Sequence, residues 1–272
     1  MASESTMNES FGAALLGALQ GLTEFLPVSS SGHLVLGQHF IPISTDAVAF
    51  DLVLHVGTLL PVLWFYRHMW VQMLKELMPG DTSLAERPAL QELMWVIVAS
   101  IPTAALGLTL RDAVHGAFHG TGILTVTFLV TGLLLWCSQR WDRSDREVTP
   151  SWALALLIGT VQGIAILPGI SRSGSTIAVL LMLGVRRERA ARLSFLMSVP
   201  AILGACVLEL RDPNIWAGVD PTPMLVGGLT SMVVGYAALV LLVRLVVRGH
   251  FAIFRWYVWG MALVAAGITW MS

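Results

Sequence analysis

Long apolar runs alternate with short polar intervals along this chain, at a spacing that predicts membrane helices. Six runs approach the roughly 17–25 residues that a helix needs to cross a bilayer: about 47–66, 93–110, 121–138, 190–210, 222–244 and 252–271. Two further apolar regions, 11–40 and 152–184, are interrupted at Pro27 and Pro168. The halves on either side of each interruption are too short to span with ease, and the interruptions are rich in Ser and Gly. Irregular backbone at membrane depth survives only where protein or a wet cavity covers it. The pattern therefore predicts two re-entrant helical hairpins, with ordinary kinked spans as the alternative. The opening MASESTMNES lacks the basic stretch and cleavage site of a signal peptide and is expected to be a short polar tail.

The two interrupted regions resemble each other. Gln20-Gly21 recurs as Gln162-Gly163 and Ser31-Gly32 as Ser173-Gly174, both at an offset of 142, while Pro27 against Pro168 is off by one. Each half then holds one hairpin and three spans. Three is odd, so the halves must lie in opposite orientations. The expected fold is an all-α polytopic membrane protein with inverted-topology repeats: six transmembrane helices plus two re-entrant helical hairpins in a single domain, residues 1–272. The repeats cover about 11–140 and about 152–272. Paired broken segments of this kind mark a binding site.

Charge orients the chain. Of the 16 Lys and Arg residues, 13 fall on one side of the six spans, two (Arg111 and Arg211) on the other, and Arg172 in the second break. The richer side is expected to be cytoplasmic. Both termini and the mouth of the first hairpin then face outward, as do the loops Gly116–Gly122 and Asp212–Pro223. The second hairpin enters from the cytoplasm, so the two tips meet inside the membrane. The arginines of 186–192 read as topology determinants with access to anionic lipid. Trp64, Trp70, Trp141, Trp152, Trp256 and Trp259 sit near span ends as an aromatic belt would, and His39, His68, His115, His119 and His250 read as interfacial.

Composition agrees with a membrane protein. The chain is 56% hydrophobic and 12% charged, against about 25% charged residues in soluble domains. The formal net charge of -1 points to no nucleic acid. Cys137 and Cys206 lie in apolar segments without metal or disulfide spacing and read as buried thiols.

The candidate chemistry is concentrated at the two breaks. Ionisable groups inside a hydrophobic segment are costly and by default functional. Gln20 and Glu24 are four residues apart, hence on one helix face. Ser29, Ser30, Ser31 and Gly32 open the next half-helix, where free N–H groups and the positive dipole end favour an anion, phosphate above all. His33 follows as a candidate base, acid or nucleophile. The second break supplies Arg172, whose fork fits phosphate oxygens, flanked by Ser171, Ser173, Gly174 and Thr176. For each there is a plainer reading: capping by the serines, a satisfied core histidine, and a Glu24–Arg172 pair that only holds the tips together. Together the residues describe a site for a phosphorylated group, with Glu24 placed to hold Mg²⁺ or Ca²⁺ and Gln20 as a second candidate ligand. Asp51 and His55, four apart on the next span, are candidates for supporting contacts.

QGLTEFLPVSSSGH (20–33) and PGISRSGST (168–176) resemble the two signatures of bacterial undecaprenyl-diphosphate phosphatase, the BacA-type bacitracin resistance protein family. The resemblance covers essentially the whole chain. It implies metal-dependent hydrolysis of undecaprenyl diphosphate to undecaprenyl phosphate and inorganic phosphate, on the outer side of the cytoplasmic (inner) membrane. That reaction recycles the lipid carrier for peptidoglycan. The implied catalytic set falls on Glu24, Ser30, His33 and Arg172. Within it we expect Ser30 as nucleophile and His33 as its base, with attack by His33 or by water as the alternative. Many relatives carry Glu where Gln20 stands, so a two-carboxylate metal site is in doubt. The expected partners are a polyprenyl diphosphate substrate, membrane lipids and, as a candidate assembly, a second copy in a homodimer. A transporter or flippase of a phosphorylated prenyl lipid would share these features and is the competing reading.

Overall fold

The computed structural model describes residues 2–41, 43, 47–78, 83–110, 122–213, 215–216 and 219–271, and these are helical with short connections and no strands. The first interrupted region forms α1 (Ala2–Phe25) and α2 (Ser30–Phe40). Next come α3 (Ala47–Phe65), α4 (Arg67–Leu77), α5 (Pro88–Thr109) and α6 (Gly122–Arg140). The second interrupted region forms α7 (Trp152–Ile164) and α8 (Arg172–Met182), followed by α9 (Arg187–Glu209), α10 (Pro221–Val247) and α11 (Phe254–Met271).

Among the described residues six segments are long and apolar enough to cross a membrane: Ala47–Phe65, Pro88–Thr109, Gly122–Arg140, Arg187–Glu209, Pro221–Val247 and Phe251–Met271. They match the six expected spans to within a few residues, and the chain is a multi-pass membrane protein. The helices α2 and α8 have 11 residues each. At 1.5 Å per residue that is about 16 Å, half the thickness of a hydrocarbon core of about 30 Å.

Two elements depart from expectation. The opening residues continue α1 from Ala2 instead of forming a tail. Helix α4 was not anticipated; it presents Met73 inward and leaves Val71, Leu74 and Leu77 exposed beside Lys75. The outer loop expected at Gly116–Gly122, with His115, His119 and Arg111, falls outside the described residues except for Gly122.

Packing follows the demands of a lipid solvent, in which helices associate through close contact between small residues. Helix α1 lies chiefly along α10, and α7 along α5. On α1 a Cβ at Gly17 would fall 2.3 Å from the Gly227 carbonyl oxygen, and on α7 one at Gly159 would fall 1.9 Å from that of Ala99. These seams lack room for a methyl group. α3 also packs on α10 and α9 on α5, while α6 pairs with α11. Pro61, Pro102 and Pro200 sit inside spans without ending them.

Candidate active site

The site is built where the two breaks meet. Pro27 halts α1, and Ser29 takes a left-handed φ of 69° that turns the chain into α2. The Ser29 hydroxyl accepts from the Gly32 amide (3.4 Å), and Ser171 does the same for Gly174 (3.0 Å) at the start of α8. The breaks are also tied to one another. The Gly169 amide donates to Ser29 Oγ (3.1 Å), and Ser173 Oγ donates to the Phe25 carbonyl at the open end of α1 (3.0 Å). Thr131 of α6 completes the tie, donating to the Gly169 carbonyl (2.9 Å) and accepting from the Ser171 amide (3.1 Å). Gly169 has φ +90°, and a Cβ there would meet Thr127 Oγ1 at 1.9 Å, so only glycine fits.

This lock brings Glu24 and Arg172 together. Arg172 Nη2 donates to Glu24 Oε1. The other carboxylate oxygen accepts from Ser30 Oγ (2.6 Å) and from Gln20 Nε2 (3.1 Å), and His55 Nε2 stands 3.7 Å from it. Gln20, Glu24 and His33 are buried, whereas Ser30, Ser31, Arg172 and His55 are half-buried on the accessible side. Two polar atoms of the cluster are buried without a hydrogen-bond partner: Gln20 Oε1 and Arg172 Nη1. Such atoms are costly to leave unmet, so the cluster holds one unused acceptor and one unused cationic donor. Asp51 is drawn in more loosely, accepting from Gln38 Nε2 at 2.7 Å, while its carbonyl receives His55 Nδ1 at 2.7 Å.

His33 does not meet Ser30 through its side chain. Its Nδ1 lies 2.7 Å from the Ser29 carbonyl and its Nε2 2.8 Å from the Tyr257 hydroxyl of α11. The Ser30 hydroxyl donates to the Glu24 carboxylate and not to the imidazole. The reason is geometric: Glu24 ends α1 where the opening turn of α2 passes over it, whereas His33 points toward α11. Tyr257 was missed because it lies 224 residues away and reads in sequence as one more aromatic near a span end.

Several expected phosphate ligands are part of the lock between the breaks. Ser29, Ser171, Ser173 and Thr176 are buried, each with its hydroxyl on a partner; Thr176 donates to the Arg172 carbonyl (2.9 Å) and meets Ser194 Oγ (2.6 Å). Gly174 packs against Ser171 and Pro27. Ser31 stays half-buried, its hydroxyl 3.3 Å from Ser29 Oγ.

Among the described residues no group of three or more His, Cys, Asp or Glu could hold a metal ion. The donor set present, one carboxylate and the unmet amide oxygen of Gln20, suits a hard oxygen-seeking cation whose remaining ligands are water and phosphate.

The arginines of 186–192 are more than topology markers. Arg189 and Arg192 both reach the buried Glu92 of α5, at 3.1 and 2.7 Å, and Arg187 meets Asp142 at 2.8 Å. Partial burial raises the Asp142 carboxyl, but hydrogen bonds from Ser144 and Arg187 outweigh it and hold the group below its ordinary value. Of the two cysteines, Cys206 is buried and Cys137 half-buried, both as free thiols.

Known proteins resemble this chain over nearly its whole length. An undecaprenyl-diphosphatase from Desulforapulum autotrophicum is 42% identical over 276 residues, covering 94% of this chain and 97% of the relative. Proteins of the same name from Carboxydothermus hydrogenoformans and Desulfosudis oleivorans are 39% and 43% identical, each covering at least 92% of this chain and at least 94% of the relative. The family model described as bacitracin resistance protein BacA matches residues 13–264, which include both breaks and every residue of the Glu24–Arg172 cluster, and the chain belongs to that family.

Proposed function

We propose that this protein hydrolyses undecaprenyl diphosphate to undecaprenyl phosphate and inorganic phosphate, the activity that its relatives' name describes. The observation that carries the reading is the meeting of Glu24, Ser30 and Arg172 at the junction of two broken helices. Ser30 Oγ attacks the terminal phosphorus while its proton passes to Glu24 Oε2. The bond to the bridging oxygen breaks, and undecaprenyl phosphate leaves with the electron pair. Arg172, through Nη1, neutralises charge growing on the phosphoryl oxygens, a contribution that is largest in a site screened from water. Water then cleaves the phosphoserine. His33 takes the water proton and Glu24 returns its own to Ser30. Glu24 and Gln20 Oε1 would hold a divalent cation, Mg²⁺ or Ca²⁺, which supplies charge neutralisation to the diphosphate.

In this reading the two interrupted regions are re-entrant hairpins of inverted repeats spanning about 11–140 and about 152–272. The exchange of packing partners supports it: α1 on α10 is mirrored by α7 on α5. The Arg-rich side is cytoplasmic, the termini and the active site face outward from the inner membrane, and the prenyl tail stays in lipid. Carrier recycling for peptidoglycan and bacitracin resistance follow from the reaction. A homodimer remains a candidate assembly.

The test is phosphate release from a prenyl diphosphate by detergent-purified protein, with and without chelator. Release in micelles, where there are no compartments, and its loss with chelator are expected. A carrier without hydrolytic activity would release none.

A further inference from the structure

The imidazole of His33 is enclosed on three sides. The Ser29 carbonyl takes Nδ1 at 2.7 Å, Phe128 closes one side with its ring at 76° and centroids 5.5 Å apart, and the Tyr257 ring lies nearly parallel to the imidazole, tilted by 8° with centroids 5.6 Å apart. A carbonyl oxygen only accepts, so Nδ1 carries a proton. The remaining nitrogen, Nε2, is the one that can exchange a proton, and the Tyr257 hydroxyl lies 2.8 Å from it. His33 is 3% exposed while Tyr257 is 49% exposed, so the tyrosine stands between the buried ring and the surroundings.

We propose that Tyr257 is the positioning residue of His33. Its ring fixes the plane of the imidazole, and its hydroxyl fixes the direction in which the Nε2 lone pair points. The hydroxyl suits both protonation states: it donates to Nε2 when the imidazole is neutral and accepts from Nε2–H when it is charged. A phenylalanine keeps the parallel ring and loses the hydrogen bond. A leucine loses both. The proposal rests on the reading that His33 handles a proton in hydrolysis, and it adds a residue from the far end of the chain to that step.

The test combines kinetics with a spectroscopic readout in the full-length protein in micelles. Tyr257→Phe should lower kcat by about tenfold, the worth of one buried hydrogen bond, with KM unchanged. Combined with His33→Ala it should add nothing to the loss from His33→Ala alone, as expected of two groups acting as a unit. In protein labelled with ¹⁵N-histidine, Tyr257→Phe should move the His33 Nε2 resonance toward that of an unbonded, pyridine-type nitrogen. Tyr257→Trp, which restores a ring but points its N–H elsewhere, should not recover kcat.

An unchanged kcat in Tyr257→Phe would overturn the proposal, as would an unmoved Nε2 resonance. A fall in thermal stability with kcat intact would make Tyr257 a packing residue only. If the unaltered protein releases no phosphate, the assigned reaction fails, and the Nε2 resonance still decides whether Tyr257 holds His33.

Discussion

The two helix breaks share a plan and differ in chemistry. What they share is structural: Ser29 and Ser171, at an offset of 142, cap the amides of Gly32 and Gly174 in the same way. Gln20-Gly21 and Gln162-Gly163 recur on α1 and α7. Where the breaks differ, one carries the reactive group. Glu24 has Ile166 at the same offset, Ser30 has Arg172, and His33 has Ser175. The duplicated serines thus hold the backbone, and the residues that differ, together with the duplicated Gln20, form the Glu24–Arg172 cluster or its immediate support.

The largest expected effect tests that division. Glu24→Ala and Arg172→Ala should each reduce phosphate release by roughly 10²- to 10³-fold or more, the scale on which charge-stabilising groups act. Ile166→Ala, at the matched position, should retain most activity. Equal losses at Glu24 and Ile166 in assays of purified, folded protein would erase the distinction.

Smaller but global effects should come from the helix seams. Gly159→Ala places a methyl 1.9 Å from the Ala99 carbonyl oxygen, and Gly17→Ala places one 2.3 Å from that of Gly227. Each should destabilise the protein by roughly 1–3 kcal/mol as overpacking does, measured by denaturation in micelles.

The caps come next. Ser171→Ala should cost about 1 kcal/mol, the usual worth of an N-cap. Ser29→Ala should cost more, because Ser29 Oγ also receives the Gly169 amide of the other break. Equal costs would mean that the tie between the breaks contributes little.

The smallest effect lies outside the membrane. The Asp142 carboxyl is held below its ordinary value when folded. Its stabilising contribution is therefore present above the unfolded value of about 3.9 and is lost as pH falls through the folded one. Asp142→Asn should lower the unfolding midpoint slightly at neutral pH, and the difference should vanish in strong acid. Solvent screening of this partly exposed pair keeps the effect small.

Much of this was legible in the sequence, for physical reasons. Spans declare themselves because a bilayer demands a minimum apolar length, and all six were located. Glu24, Ser30 and Arg172 stood out because polar groups inside apolar runs need a reason. The amphipathic α4 escaped, since its mixed composition resembles a loop. Tyr257 and the Glu92 partners of Arg189 and Arg192 escaped because they are set by tertiary contact across long stretches of chain. The serines stood out as special, and most of their hydroxyls turn to groups of the breaks themselves. A sequence shows a hydroxyl but not the acceptor it turns to. The pairing of Ser30 with Glu24 rather than His33 depended likewise on where α1 stops relative to α2.

The seat of Gly17 against Gly227 has a consequence for the chemistry. Glu24 lies two turns further along the same rigid rod, about 10 Å away at 1.5 Å per residue. The carboxylate's location is therefore set by how closely two helices can approach at a point that touches no substrate. A sideways shift of about 1 Å there would carry through to the reacting atoms, enough to slow a reaction on the order of a hundredfold. Residues that contact only lipid-facing helices can thus act as remote gauges of turnover.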